Sequence, residues 1–289
     1  MELEDYQFTK QELKYLELLS EKYPTVQSVC TEIINLKAIL NLPKGTEHFM
    51  SDVHGEYEAF YHILNNCSGV IHEKVNIIFG DRLSVEERAE LCTLIYYPEE
   101  RLEIVHETIK DLESWYKITL NQLIEICKLV ASKYTRSKVR KALPKEFSYI
   151  IDELLHSVEG DINQEAYHSN IMDTIISIHN ADEFIIALAT LIKRLAVDHL
   201  HIVGDIFDRG PRADSIMDML MQHHAVDIQW GNHDILWMGA STGHAACVAT
   251  VVKTSVSHKR LDTLEGGYGI SLRPLTLFAT QTYKNCETT

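Results

Sequence analysis

The sequence predicts an α/β fold in which a large helical segment separates two parts of the core. Three short apolar runs have strand character, and each ends at a polar cluster that contains glycine. Between the first and second runs, the apolar residues follow the period of amphipathic helices. Because chemistry in α/β folds collects beyond the carboxyl ends of strands, the three clusters also mark the expected functional site.

The N-terminal part is predicted to be helical up to the first strand. Leucines recur at a helical interval over residues 13–19, and Pro24 fits the first turn of a second helix. The run 47–51 then predicts a strand that ends at Asp52. We assign residues 1–55 to N-terminal helices and the first core strand.

Residues 56–197 are predicted to form a helical insertion that caps the core. Ser84 and Glu87 make a capping box at the start of one of its helices. Residues 157–163 are expected to form a loop. Two apolar stripes are expected to be ordinary core faces: Leu120, Leu123, Ile124, Cys127 and Val130, and Phe184, Ile185, Leu188, Leu191, Ile192 and Leu195.

Residues 198–289 alternate between strand and helix patterns and are assigned to the core. The pattern predicts a strand over 199–204, a helix over 213–223 and a strand over 225–230. The polar clusters at the two strand ends belong to this segment, so the segment is expected to carry most of the site.

Composition excludes several partner classes. With 27 basic and 42 acidic residues the net charge is −15, which repels nucleic acid and anionic membrane surfaces. A small anionic substrate stays possible, because bound cations reverse the potential locally. The six cysteines are scattered, the N-terminus is acidic, and no apolar stretch of about 18 residues occurs. We therefore expect reduced thiols, a cytoplasmic location and no membrane partner.

The first two clusters offer ligands for hard cations. Asp52 and His54, two apart in a turn, can present an oxygen and an imidazole nitrogen to one ion, although a capping Asp beside a surface His gives the same triplet. Asp205 follows a strand end and can bridge two cations. Asp208 can support Arg209 or a ligand, and Arg209 offers a planar fork for phosphate oxygens, although the two also fit a buried structural ion pair.

The third cluster is Gly-Asn-His-Asp. Asn232 offers a neutral amide oxygen, and Asp234 is expected to set the tautomer and charge of the neighbouring His233. A turn with a left-handed Asn explains this cluster equally well when it is taken alone. The specificity lies in the combination of the three clusters in this order, each after a predicted strand.

These segments resemble the metallophosphoesterase superfamily. The stretches SDVHGEYEAFYHILNNCSG, HIVGDIFDRGPRAD, QWGNHDILWMGA and LDTLEGGYGISLRPL are similar to class III fructose-1,6-bisphosphatases of bacteria, and this similarity covers essentially the whole chain. The resemblance implies a two-sheet β-sandwich core and a gluconeogenic, manganese-dependent enzyme. Such an enzyme hydrolyses fructose 1,6-bisphosphate to fructose 6-phosphate and phosphate.

The resemblance also implies residue roles. Asp52 and His54 would bind one Mn²⁺, Asp205 would bridge two, and Asn232 would bind the second. His233 would be the general acid with Asp234 as its orienting partner, and Arg209 would clamp phosphate. The site expected from the sequence consists of these residues.

The family pattern requires further histidines after the third cluster, including a Gly-His-x-His element. Only His244 and His258 follow Asp234, and His244 leads into the start of a predicted helix. We therefore expect neither to be a ligand, and we expect an incomplete β-sandwich core that lacks its C-terminal part. Three functions stay open: the bisphosphatase, a truncated and catalytically inactive remnant of it, and a metal-dependent phosphatase acting on another phosphoester. The sequence does not indicate an oligomeric state.

Overall fold

The computed structural model describes residues 7–156 and 162–284. Fifteen α-helices and three strands lie in this part of the chain. In chain order they are α1 (Lys10–Lys22), α2 (Val26–Leu40), β1 (Glu47–Met50), α3 (Tyr57–Asn66), α4 (Val70–Phe79), α5 (Val85–Tyr96), α6 (Pro98–Thr108), α7 (Leu112–Ala131), α8 (Arg136–Ala142), α9 (Ser148–Leu155), α10 (Ile162–Ser177), α11 (Ala181–Ala196), β2 (His199–Val203), α12 (Ala213–Gln222), β3 (Val226–Gln229), α13 (Asn232–Ser241), α14 (Ala245–Ser257) and α15 (Arg273–Thr282).

Helices α1 and α2 belong to a compact unit of their own, together with residues 133–135. Thr25 caps α2 by accepting a hydrogen bond from the backbone N–H of Ser28. Pro24 therefore precedes the cap, and its predicted place in the first helical turn is wrong. Neither helix buries a residue, so their apolar stripes are solvent-exposed.

The second unit contains the sheet, which is parallel and has the order β1-β2-β3. His48 pairs with Leu200, and Leu200 pairs with Val226. The connection between β1 and β2 is the entire helical insertion, and the connection between β2 and β3 contains α12. Parallel strands require such crossovers, because they cannot be joined by a tight hairpin. The three predicted strands are confirmed, with bounds shorter by one or two residues.

One face of the sheet forms the core beside the site. Leu200 and Ile202 of β2 are fully buried there, and they pack with Phe60 of α3 and with Ile216 and Leu220 of α12. Burial of each of these large apolar side chains is worth about 1.5–3 kcal/mol. The core therefore fixes the direction of β2, and with it the position of the loop that follows.

The insertion has an apolar core of its own. Every residue of the two predicted stripes is buried, in α7 and α11 respectively. The capping box at Ser84 and Glu87 is present at the start of α5. Of the loop predicted over 157–163, residues 157–161 lie outside the described part of the chain. The predicted end of this loop at residue 163 is wrong, because α10 already begins at Ile162.

These elements confirm an α/β fold in its coarse form: a parallel sheet with helical crossovers. The predicted boundaries after residues 55 and 197 stay a prediction. Among the described residues, no single helix is both long and apolar enough to cross a membrane, although the bent pair Ala166–Ser177 and Ala181–Ala196 meets those criteria jointly. Five cysteines in the described ranges are free thiols, and Cys286 lies outside them.

Candidate functional site

The loops that follow β1 and β2 are joined by backbone hydrogen bonds at the carboxyl end of the sheet. The His54 N–H donates to the Asp205 carbonyl over 2.8 Å, and the Gly55 N–H donates to the Ile206 carbonyl over 2.8 Å. The Gly210 N–H donates back to the His54 carbonyl over 2.7 Å. The first two predicted clusters are therefore held together, although about 150 residues separate them in sequence.

Both loops contain residues in the left-handed backbone region. Of the nine described non-glycine residues with positive φ, five lie here: Asp52, His54, Asp205, Asp208 and Arg209. Such conformations cost of order 1–3 kcal/mol each, less for Asp, and they concentrate at binding and catalytic sites. The surrounding hydrogen bonds hold this geometry, which turns the polar side chains toward one another.

Asp52, His54 and Asp205 form a group that fits one metal ion. Each offers one ligand atom, and these atoms lie within 4.8 Å of one another. The His54 Nδ1 lies 3.2 Å from the Phe207 carbonyl oxygen, to which it can donate, and this leaves Nε2 for a cation. That Nε2 is 3.8 Å from the Asp52 Oδ1. The mixed oxygen and nitrogen donors suit Mn²⁺ as well as other first-row divalent ions.

His233 lies beside this group and is supported by a buried carboxylate. Its Nδ1 is 2.9 Å from the Asp208 Oδ2, and the side chain of Asp208 is only 1% exposed. The Trp237 Nε1–H donates to the other Asp208 oxygen over 3.1 Å. The rings of His54 and His233 meet edge to face with 5.4 Å between centroids. The carboxylate therefore favours the tautomer that carries its proton on Nδ1, with Nε2 free for chemistry.

The predicted role of Asp234 as the orienting partner of His233 is wrong. One oxygen of Asp234 accepts hydrogen bonds from the backbone N–H groups of Ile206 and Phe207, and the other accepts from Gly231. Asp234 is the third residue of α13 and points back over the helix start, whereas Asp208 faces the imidazole. Asp234 therefore ties α13 to the loop after β2, and Asp208 supports His233.

The remaining predicted residues lie at the rim of the site. Asn232 is the first residue of α13 and is exposed, next to the His233 N–H, which donates to the Asp205 Oδ1 over 3.2 Å. Arg209 is exposed in the loop after β2. His244 and His258 flank α14 and are also exposed; neither belongs to a potential metal-binding group of the described residues.

An apolar cleft of about 470 Å³ lies behind the site. Phe207, Trp237 and Asp234 line it, together with Ile228 and Tyr268. Its lining contains hardly any polar surface, so it does not suit an anionic ligand.

Two supporting residues were missed by sequence reasoning. The backbone carbonyl of Phe207 orients His54. Every residue has such a carbonyl, so the residue type does not indicate this role. Trp237 bonds Asp208 and stacks on Phe207 with ring centroids 4.7 Å apart. Trp237 follows His233 by four residues on α13, a spacing that places both side chains on one helix face and could have identified it.

The residues after β1, β2 and β3 thus meet in one site, where a group that could hold a cation adjoins a carboxylate-supported imidazole. This combination is characteristic of metal-assisted hydrolytic centres. The chain belongs to the Firmicute fructose-1,6-bisphosphatase family, whose family model matches residues 14–289.

Curated relatives support the same family. The class 3 fructose-1,6-bisphosphatase of Clostridium acetobutylicum is 62% identical over 276 residues, which are 96% of this chain and 42% of the relative. That of Clostridium novyi is 58% identical over 276 residues, with the same two shares. That of Bacteroides thetaiotaomicron is 60% identical over 272 residues, 94% of this chain and 41% of the relative. The chain thus spans about two fifths of the length of these relatives. No solved structure matches it.

Proposed function

We propose that this chain carries metal-binding and acid residues of a hydrolase that converts fructose 1,6-bisphosphate to fructose 6-phosphate and phosphate. The observation that carries the proposal is the convergence of Asp52, His54 and Asp205 beside the Asp208–His233 pair. Family membership supports the substrate, because the relatives are named for this activity. The proposed setting is gluconeogenesis in the cytoplasm, with a small sugar bisphosphate as partner and neither nucleic acid nor membrane.

The proposed cofactor is a pair of Mn²⁺ ions. Asp52 and His54 would hold one ion, Asn232 the other, and Asp205 would contribute to both. When bound, the ions would supply Lewis-acid chemistry that neutralises phosphoryl oxygens and acidifies the attacking water. A shared role for Asp205 is supported by its position after the central strand and by its Oδ1, which accepts the His233 N–H at the start of α13.

The chain's own residues would complete the reaction. His233 would donate a proton from Nε2 to the departing sugar alkoxide, which is a poor leaving group without one. Asp208 would stabilise the charged imidazole and hold its orientation. Arg209, exposed beside the site, would bind phosphate oxygens through its planar fork.

The proposed complete fold is the two-sheet sandwich of metallophosphoesterases. The described residues of this chain supply one three-stranded parallel sheet. One face of that sheet is covered by helices, and the other carries exposed side chains such as Phe49, which is 62% exposed.

The proposal is tested by phosphate release from the purified 289-residue chain with Mn²⁺ and fructose 1,6-bisphosphate. We expect His233→Ala to lower turnover by about 10²–10⁴-fold, with a smaller loss for a nitrophenyl ester, whose leaving group needs less protonation. His244→Ala is the matched control, because that histidine is exposed and its side chain forms no capping hydrogen bond with α14. Equal losses on both substrates would show that His233 has another role.

Two further comparisons separate this function from the alternatives. A phosphopeptide offered under the same conditions tests the other-phosphoester function, and faster release from it would overturn the sugar substrate. Absence of any Mn²⁺-dependent release from the chain would favour the catalytically inactive remnant. In that case, calorimetric titration with Mn²⁺ still determines whether the binding residues act as proposed.

A further inference from the structure

A second group of potential ligands lies on the exposed face of the sheet. His199 and His201 occur two apart on β2, so both point to the same face. In the register of β2 and β3, His201 pairs directly with Asp227. Each of the three offers a ligand atom, and these atoms lie within 4.8 Å of one another. None of them belongs to the candidate site at the carboxyl ends of the strands.

The distances fit a shared cation. The Asp227 Oδ2 lies 2.9 Å from the His199 Nε2 and 3.6 Å from the His201 Nδ1. Ligand atoms about 2.0–2.1 Å from a tetrahedral Zn²⁺ are separated by about 3.3 Å, which falls between these two values. The two histidine nitrogens lie within 4.8 Å of each other, so the side chains need to rotate to bring all three atoms around one ion.

Hydrogen bonds do not account for the Nε2 atoms of the two imidazoles. The Nε2 atoms of both histidines are buried, and neither forms a hydrogen bond with the described residues. The His199 Nε2 is close to Asp227, but the pair is not aligned as a hydrogen bond. Of these two atoms, only the His199 Nε2 faces the proposed ion. A buried polar atom without a hydrogen bond is uncommon and costs free energy, and a bound ion would explain this one.

The surrounding residues hold the rings in place. The two histidine rings stack with 4.7 Å between centroids, and Phe49 of β1 stacks on His201 at 4.5 Å. On the opposite edge of the His201 ring, the Glu47 Oε2 is 3.9 Å from Nε2. At this distance the carboxylate does not form a hydrogen bond, but its negative charge favours a cation bound to the ring.

We propose that His199, His201 and Asp227 bind a late first-row divalent cation, with Zn²⁺ as the probe, and that the ion links β2 to β3. Two imidazoles and one carboxylate are a donor set that favours Zn²⁺, Cu²⁺ or Ni²⁺ over Mn²⁺. The site is independent of the proposed phosphatase function. His201 and Asp205 are four residues apart, roughly 13 Å along an extended strand, so the two sites do not share ligands.

The test is competitive titration of the 289-residue chain with Zn²⁺ against a chromophoric chelator. All variants carry Asp205→Asn, so that Zn²⁺ binding by the group of Asp52, His54 and Asp205 is weakened. In this background, Asp227→Ala is expected to weaken Zn²⁺ binding at least tenfold. Asp227 is 68% exposed, so its removal leaves the core intact. His201→Phe, which keeps a ring for stacking on Phe49, is expected to have the same effect.

The control is His244→Ala in the same background, which removes an exposed histidine outside the group. A second measurement uses Cu²⁺ and pulsed electron paramagnetic resonance to count coordinating imidazoles. We expect two in the background protein and one after His201→Phe. Affinities for Zn²⁺ that are equal in Asp227→Ala, His201→Phe and the control would overturn the proposal, and the paired histidines and Asp227 would then be a cross-strand ion pair only.

Discussion

Replacement of Gly231 by alanine tests the cation site without changing a ligand. Gly231 has extended backbone angles (φ −90°, ψ −178°) that alanine adopts freely, so only the added methyl group matters. A Cβ built there would lie 2.5 Å from the backbone nitrogen of Asp205 and 2.7 Å from its Cγ, and closer still to Oδ1. Side-chain carbons do not approach other atoms within 3.0 Å, so Asp205 or the start of α13 must move.

The displacement sets the size of the effect. Reaching 3.0 Å from the Asp205 nitrogen requires a shift of about 0.5 Å, and metal–ligand distances tolerate only about ±0.2 Å. We therefore expect Gly231→Ala to weaken Mn²⁺ binding at least tenfold. Overpacking of this kind also destabilises a fold by about 1–3 kcal/mol, so the melting temperature should fall by several degrees.

The assay is calorimetric titration with Mn²⁺ and a thermal melt, both compared with Gly266→Ala. Gly266 has no atom within 4 Å of an added Cβ and is not in the left-handed region, so alanine there should be neutral. If Gly231→Ala binds Mn²⁺ as tightly as Gly266→Ala, the close packing of α13 against Asp205 does not shape the cation site.

Three other predictions concern charged groups of the same unit. Asp205→Asn should weaken both proposed Mn²⁺ sites in calorimetry, because it removes their shared charge; binding equal to wild type would refute the bridging role. Asp208→Asn should reduce turnover at least tenfold and change the fluorescence of Trp237, since it removes the negative charge and one of the two oxygens that accept from His233 and Trp237; unchanged turnover would contradict that support. Burial lowers the pKa of His223 to about 4, below the ordinary value of 6.5, so the unfolded state binds more protons between these values. The free energy of unfolding should therefore fall as pH drops from 6.5 to 4, and His223→Gln should flatten that loss in urea titrations; an unchanged pH profile would contradict it.

The strands and their polar ends could be predicted because both signals are local. A short apolar run followed by glycine and an acid is visible within eight residues, as at Leu200 to Asp205. That the runs pair as neighbours follows from the general behaviour of parallel strands. The partner of His233 could not be predicted in this way. Asp234 is adjacent in sequence, but in the first turn of α13 it faces the backbone, and Asp208 reaches the imidazole only once β2 and α13 have packed.

The pattern His-Leu-His-Ile-Val in β2 shows why the second group of potential ligands was also missed. Alternation indicates that His199 and His201 share one face and that Leu200 and Ile202 share the other. The alternation identifies a strand, but it does not show which strands and helices lie beside it. The apolar face is buried by α3 and α12, and the histidines gain Asp227 only through the register with β3. A partner on a neighbouring strand is a long-range property, so a pair of histidines in a strand becomes a candidate metal site only after the pairing is known.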